Sequence, residues 1–273
     1  MAKRTDFPQG NPPITRALGA LLCRGGYAIA LISLTGLPSW ANTLTSNLVR
    51  QLLISRSCIA CDLSGTVLVG ANLDDASLTG ANLAGANLSQ ARLPRAQMTD
   101  VNLSEANLSG AVINQANLSG ANLSGANLSG AVLTGSRLVG VSAPNSNLDR
   151  VEARNSNWAN SDLSGSRLDQ AVFNQASLSR STLTHTTLTN SQFYRADLIG
   201  TDLSGADFSG ADLRQVLLRD ATVEDVNFAN ADLLGANVAR TDFSTARFCN
   251  TRMADGSINN QHCDDSDTVE TEG

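Results

Sequence analysis

Positive charge is scarce in this chain. Its 273 residues include a single lysine, Lys3, and charged residues make up 16% of the whole, against roughly 25% in an average soluble domain. Aromatic residues reach only 4%. No basic excess exists to neutralise phosphates, so the composition argues against a nucleic-acid binder. No uncharged apolar run approaches the roughly 18 residues of a membrane span, which argues against a multispanning membrane protein. There are two histidines, His185 and His262. Neither stands at a recognisable metal-ligand spacing, unless Cys263 beside His262 is counted. No G-x-S-x-G elbow and no phosphate loop occurs. Catalysis needs a nucleophile, base or metal held in a pocket. The expectation is a protein that is not an enzyme and takes no cofactor or metal.

The first 41 residues differ from the rest. Lys3, Arg4, Arg16 and Arg24 make them basic, with only Asp6 opposing. Tyr27–Leu37 is an uncharged, mostly apolar run of eleven residues. It leads into Pro38-Ser39-Trp40-Ala41, with small residues at the −3 and −1 positions of a cut after Ala41. That order is a secretory signal peptide, 1–41, and the run is too short for a permanent anchor. Cys23 precedes the run, which argues against a lipoprotein. Cleavage would leave 15 Arg against 24 Asp or Glu, a net charge of −9, and no membrane span. Four cysteines would remain, Cys58, Cys61, Cys249 and Cys263. An even number in an exported chain points to two disulfides.

Ala, Leu, Asn, Ser and Gly dominate what is left, and they repeat. Every fifth residue from 63 to 258 gives forty positions, of which 25 are Leu and six are Phe. The others are Met98, Ile113, Ala143, Ala153, Trp158, Val223, Val238, Met253 and Ile258, so none is polar. Two residues before each centre the side chain is small, 38 of forty being Ala, Ser, Thr or Val. A period of five fits neither an α-helix nor a plain strand. Within a unit, however, the small residue and the centre are two apart. They face one way on a short extended segment, with Asn or Asp between them facing out. The remaining Ser, Gly, Asn or Gln residues suit a corner. A single unit cannot bury its Leu; stacked coils can.

This pattern resembles the pentapeptide-repeat family, A(D/N)LXX, over about residues 61–258. The resemblance implies an all-β protein: a right-handed, four-sided parallel β-helix with four units per 20-residue coil and about ten coils. The sequence fits such a coil. Phe208, Phe228 and Phe248 are 20 apart, as are Phe173 and Phe193, and each set would stack inside the rod. Leu123 is a representative centre. Trp158 is expected to fill volume left by Ala143 and Ala153. Pro94 and Pro144 follow a centre, where the chain turns. Leu44, Val49, Leu48, Leu52 and Leu53 form a helical stripe, so 42–57 is expected to be an N-terminal capping helix over the repeat region 58–258. Residues 259–273 are expected to be a cap and a disordered acidic tail.

Cys58-Ile59-Ala60-Cys61 could be a redox or zinc CxxC, but no second CxxC exists. A structural Cys58–Cys61 disulfide is preferred, with Cys249–Cys263 tying down the other end. The terminal segments resemble those of exported cyanobacterial members of the family, which implies a periplasm or thylakoid lumen. Asp197, Asp202, Asp207 and Asp212 would ring one coil, one per side, too divergent for a cation. Three functions follow: a structural or protein-interaction rod with an unknown protein partner, an acidic DNA mimic that binds a topoisomerase (gyrase), and, remotely, a CxxC redox protein. A signal peptide disfavours the second, because gyrase is cytosolic.

Overall fold

The computed structural model describes residues 39–263, with side chains from residue 47 onward. Most of the expected signal peptide and all of the acidic tail after residue 263 lie outside the described residues. Helix α1 spans Ser39–Ser55. It starts three residues before the expected cleavage point and stops two residues short of the expected end. Arg56 ends it in the left-handed region, φ 54°, with its N–H donating to the Leu52 carbonyl at 2.7 Å. Leu52 is fully buried, and Leu48, Val49 and Leu53 pack on the same apolar cluster.

After α1 the chain winds in coils of 20 residues. Every outward-facing residue from Ser57 to Asp232 except Thr222 pairs in parallel with the residue 20 later, from Ser57↔Ser77 to Asp232↔Arg252. The five N–H groups of a unit show why the period holds. Leu123 donates to the Ser142 carbonyl one coil on (2.6 Å), and Gly125 to the Pro144 carbonyl (3.0 Å). Asn122 donates back to Val101 (2.9 Å), and Ala126, opening the next unit, to Leu123 (2.9 Å). The fifth N–H, Ser124, is taken by the Asn122 side chain at 3.0 Å. Asn or Asp is favoured in the outward slot because it captures the N–H that the coils leave over. Both corner prolines obey this rule. Pro94 and Pro144 have no N–H to satisfy, and the outward residues before them, Arg92 and Ser142, are not Asn or Asp.

The inward columns are buried along most of the rod. Leu123 and Trp158 are fully buried, as are Phe173, Phe193, Phe208 and Phe228, while Phe248 is 3% exposed. Small-column hydroxyls bond to centre carbonyls, as Ser136 does to Ile113 at 2.6 Å. Phe173 and Phe193 stack at 5.2 Å; Phe208 stacks on Phe228 at 5.8 Å and Phe228 on Phe248 at 5.7 Å. The two stacks are also joined. Phe193 meets Phe208 edge-on at 5.7 Å, and Trp158 meets Phe173 edge-on at 5.7 Å. The indole N–H finds Ser156 Oγ at 2.8 Å, so burial leaves it satisfied.

The second corner residue of each unit turns with positive φ, between 51° and 70° from Ala60 to Arg240. Glycine takes many of these positions, but Asn, Gln, Arg, Asp, His, Glu105 and Ala60 hold the others.

The far end departs from the repeat. Outward pairing lapses at Asp242, and Phe243 is only partly buried. The strands β1 (Thr251–Arg252) and β2 (Ile258–Asn259) pair antiparallel, Arg252 opposite Ile258. The chain therefore doubles back instead of continuing the coil. Ile258, expected inside as the last centre, is 55% exposed.

Candidate functional site

The rod offers four long outer sides, fixed by the 20-residue register. Side I holds units with centres 63, 83 and onward to 243; sides II, III and IV follow at five-residue steps. Side I carries Asp62, Glu105, Asp162, Asp202, Glu224, Asp225 and Asp242 and no arginine. Sides II and III are balanced, and side IV has four arginines against three carboxylates. The ion pairs follow this division. Arg95 clamps Asp75 on side III through two bonds of 2.7 and 2.6 Å. Arg240 clamps Asp220 on side IV, and Arg167 meets Asp149 on side II at 2.7 Å. Among the described residues no side I carboxylate is ion-paired.

The corners of side I are mostly small: seven of its ten first corners are Ser or Thr, and five of its ten second corners are Gly. An amide ladder runs along it. Asn82 Nδ2 donates to Asp62 (3.0 Å), Asn102 to Asn82 (3.0 Å) and Asn122 to Asn102 (3.3 Å). Hydrogen bonds from the Ser64 hydroxyl and amide hold the Asp62 carboxyl below its ordinary pKa. Asp62, Asp162, Asp202 and Asp242 are fixed in rank because each accepts the N–H two residues on, the bond that closes its turn.

The sequence-derived candidates fall into separate places. Cys58 is bonded to Cys61, with Cα atoms 5.5 Å apart, where α1 meets the first coil. Cys249 is bonded to Cys263, Cα atoms 4.7 Å apart, where the returning chain meets the last coil. His262 belongs to that return: its N–H donates to the Phe248 carbonyl at 2.8 Å, and its Nδ1 accepts from the Phe248 N–H at 3.4 Å. His185 lies over Gly205, where an added Cβ would come within 2.5 Å of its Nδ1. Asp197, Asp202, Asp207 and Asp212 stand on four different sides. Each accepts the N–H two residues on, at 2.9–3.1 Å. Among the described residues, no three His, Cys, Asp or Glu side chains gather as metal ligands, and no helix is long and apolar enough to cross a membrane. The division of charge by side was not drawn from the sequence. Sorting the residues by the 20-residue register would have shown it.

The fold and surface define a solenoid whose outside is a repeating display. The pentapeptide-repeat model, in eight copies, matches residues 57–95, 96–135, 146–184, 176–215 and 211–250, and the chain belongs to that family. Among solved structures it is similar to HetL, a pentapeptide repeat protein involved in heterocyst differentiation regulation in the cyanobacterium Nostoc sp. strain PCC 7120. The identity is 29%, covering 74% of this chain and 89% of HetL, with a TM-score of 0.64. QnrB1, a plasmid-mediated fluoroquinolone resistance protein, is 18% identical over 70% of this chain and 86% of its own, at a TM-score of 0.49. A pentapeptide repeat protein of the Arabidopsis thaliana thylakoid lumen is 27% identical over 34% of this chain and 66% of its own, at 0.34. Neither of the last two likenesses in shape is close enough to carry an inference. No curated protein matches the chain.

Proposed function

We propose that this protein is a non-enzymatic binding rod of an exported compartment, a periplasm or thylakoid lumen, and that side I takes a basic partner protein. The rod is right-handed with about ten coils, and α1 closes its first coil. The observation that carries the proposal is side I itself, with seven carboxylates and no arginine. Such a surface attracts cations along its length and repels acidic competitors.

The DNA-mimic alternative fares worse on charge density. Ten coils at about 4.8 Å span on the order of 45–50 Å. Seven carboxylates over that length fall far short of duplex DNA, which carries a charge about every 1.7 Å. The other three sides are balanced or nearly so, where a duplex would be negative all round.

Binding of a lysine-rich peptide, followed by calorimetry at low salt, tests the proposal. Neutralising Asp162, Asp202 and Asp242 to Asn should weaken binding about tenfold or more. Neutralising Asp149, Asp169 and Asp207 on side II to Asn removes the same net charge and should leave it unchanged. Equal losses from both sets would show that only net charge matters and would sink the assignment to side I.

A further inference from the structure

Side chains that break the repeat gather at one corner. Ser or Thr is the commonest choice at first corners, yet the large side chains Tyr194, Ile199, Arg214, Arg219 and Leu234 occupy that slot within two successive coils and the next. Leu217 fills an outward slot, paired with Asp197 before it and Asn237 after it. It is the one exposed large hydrophobic side chain between Val69 and Ile258. The interior gains nothing from any of these, since all point outward from sides III and IV.

The corner is also shaped. Asn160, Ser179, Arg180, Asp197, Ile199 and Arg219 line a groove of about 300 Å3 on side IV. Gly200 leaves the gap: beside it, Arg180 Cγ would lie 3.7 Å from an added Cβ. The Arg180 guanidinium has no ion pair or hydrogen bond among the described residues. Arg219 approaches Asp220 only at 3.5 Å. Around the corner, Tyr194 is flanked by two guanidiniums, Arg195 at 5.0 Å and Arg214 at 5.7 Å from its ring centre. Tyr and Arg are the residues that most often anchor protein interfaces, and here both are held in place before any partner arrives.

We infer that this corner docks an acidic, extended segment of a partner protein. A Glu or Asp carboxylate of the segment enters the groove between Arg180 and Arg219, within reach of Asn160 and Ser179. A neighbouring aliphatic side chain lies on Leu217 and Ile199. Charge complementarity selects this occupant. Side IV is the only side with excess positive charge, in a protein that is otherwise acidic, and Arg180 lacks an acid of its own. Asp197 accepts the Ile199 N–H at 3.0 Å, and in the groove lining its one negative charge is outnumbered by the two arginines. The inference is independent of the proposal for side I.

The test uses the full mature chain and a fluorescent peptide of alternating Glu and Leu. Anisotropy should report binding that weakens as salt rises. Arg180→Gly, Leu217→Asn and Arg219→Ser place the repeat's own residues in their slots, so the triple variant should fold like the parent by circular dichroism. It should lose affinity about tenfold or more. Arg150→Gly, on balanced side II, should bind as the parent does. Three results would each overturn the inference: no binding by the parent, undiminished binding by the folded triple variant, or an equal loss in Arg150→Gly. If the triple variant does not fold, Leu217→Asn alone decides in the same way.

Discussion

Leu123 and its neighbour Asn122 show how differently adjacent residues contribute. Leu123 is fully buried, and truncation to Ala should cost roughly 2–5 kcal/mol once the cavity is included. Leu123→Asp adds an unpaired charge in an interior without partners and should unfold or misfold the rod. Asn122 looks replaceable from sequence alone, because Asp fills the same slot in many units. Its Oδ1 does accept from Ser124 N–H at 3.0 Å, which Asp would preserve. Its Nδ2, however, donates to Asn102 at 3.3 Å, and Asp would set two oxygens against each other there. Thermal melts should rank the parent first, then Asn122→Asp by a small margin, about 1 kcal/mol, then Leu123→Ala, with Leu123→Asp lowest. An Asn122→Asp variant as damaged as Leu123→Asp would reverse the assignment of inside and outside. The centre column was legible because hydrophobic spacing is a one-dimensional signal. The ladder was not, since its partners lie 20 residues apart and any polar side chain satisfies the pattern.

A coil is the element of this fold, and arginine–aspartate clamps join one coil to the next. Hydrogen bonds from Arg95 hold the Asp75 carboxyl below the ordinary carboxylate range, and Arg240 does the same for Asp220. Within one coil, Arg214 lowers Asp212. A carboxyl whose pKa is lower folded than unfolded contributes stability that is present above its unfolded pKa, about 3.9, and is lost as pH falls through the folded value. Melting temperature should therefore hold steady from about pH 7 to pH 5 and decline below about pH 4. In Arg95→Gln combined with Arg240→Gln, the decline should be shallower, and the gap to the parent should narrow as acid is added. Parallel curves for parent and double variant would show that these clamps contribute nothing, as holds for many exposed ion pairs. Coil length came with the family resemblance, and the 20-residue spacing of Phe208, Phe228 and Phe248 agreed with it. The reversal at β1 and β2 was not, because Ile258 keeps the five-residue count while the chain has already turned back on itself.

At the scale of the whole molecule, the ends decide what the rod can do. An open coil leaves unpaired backbone groups that invite other chains. Here α1 sits against the first coil, and Asn250 and Met253 on the last coil donate to the returning chain, to Asn260 Oδ1 and the Ser257 carbonyl, both at 2.7 Å. A cysteine pair stands at each of these junctions. Placing covalent ties where a linear array frays first is effective only in a compartment that keeps them oxidised. The basic start, the eleven-residue apolar run and Ser39-Trp40-Ala41 are the independent ground on which export to such a compartment is proposed. One measurement joins the two lines. The intact mass of protein purified from its native compartment without reductant should equal residues 42–273 less four hydrogens. Peptide mapping of the same sample should join Cys58 to Cys61 and Cys249 to Cys263. A mass that retains the first 41 residues would remove the export claim, whatever the thiols do. A mature mass with four free thiols would leave export standing and show that the ends hold by α1 and the β1–β2 return alone, so that reductant should then leave the melting temperature unchanged.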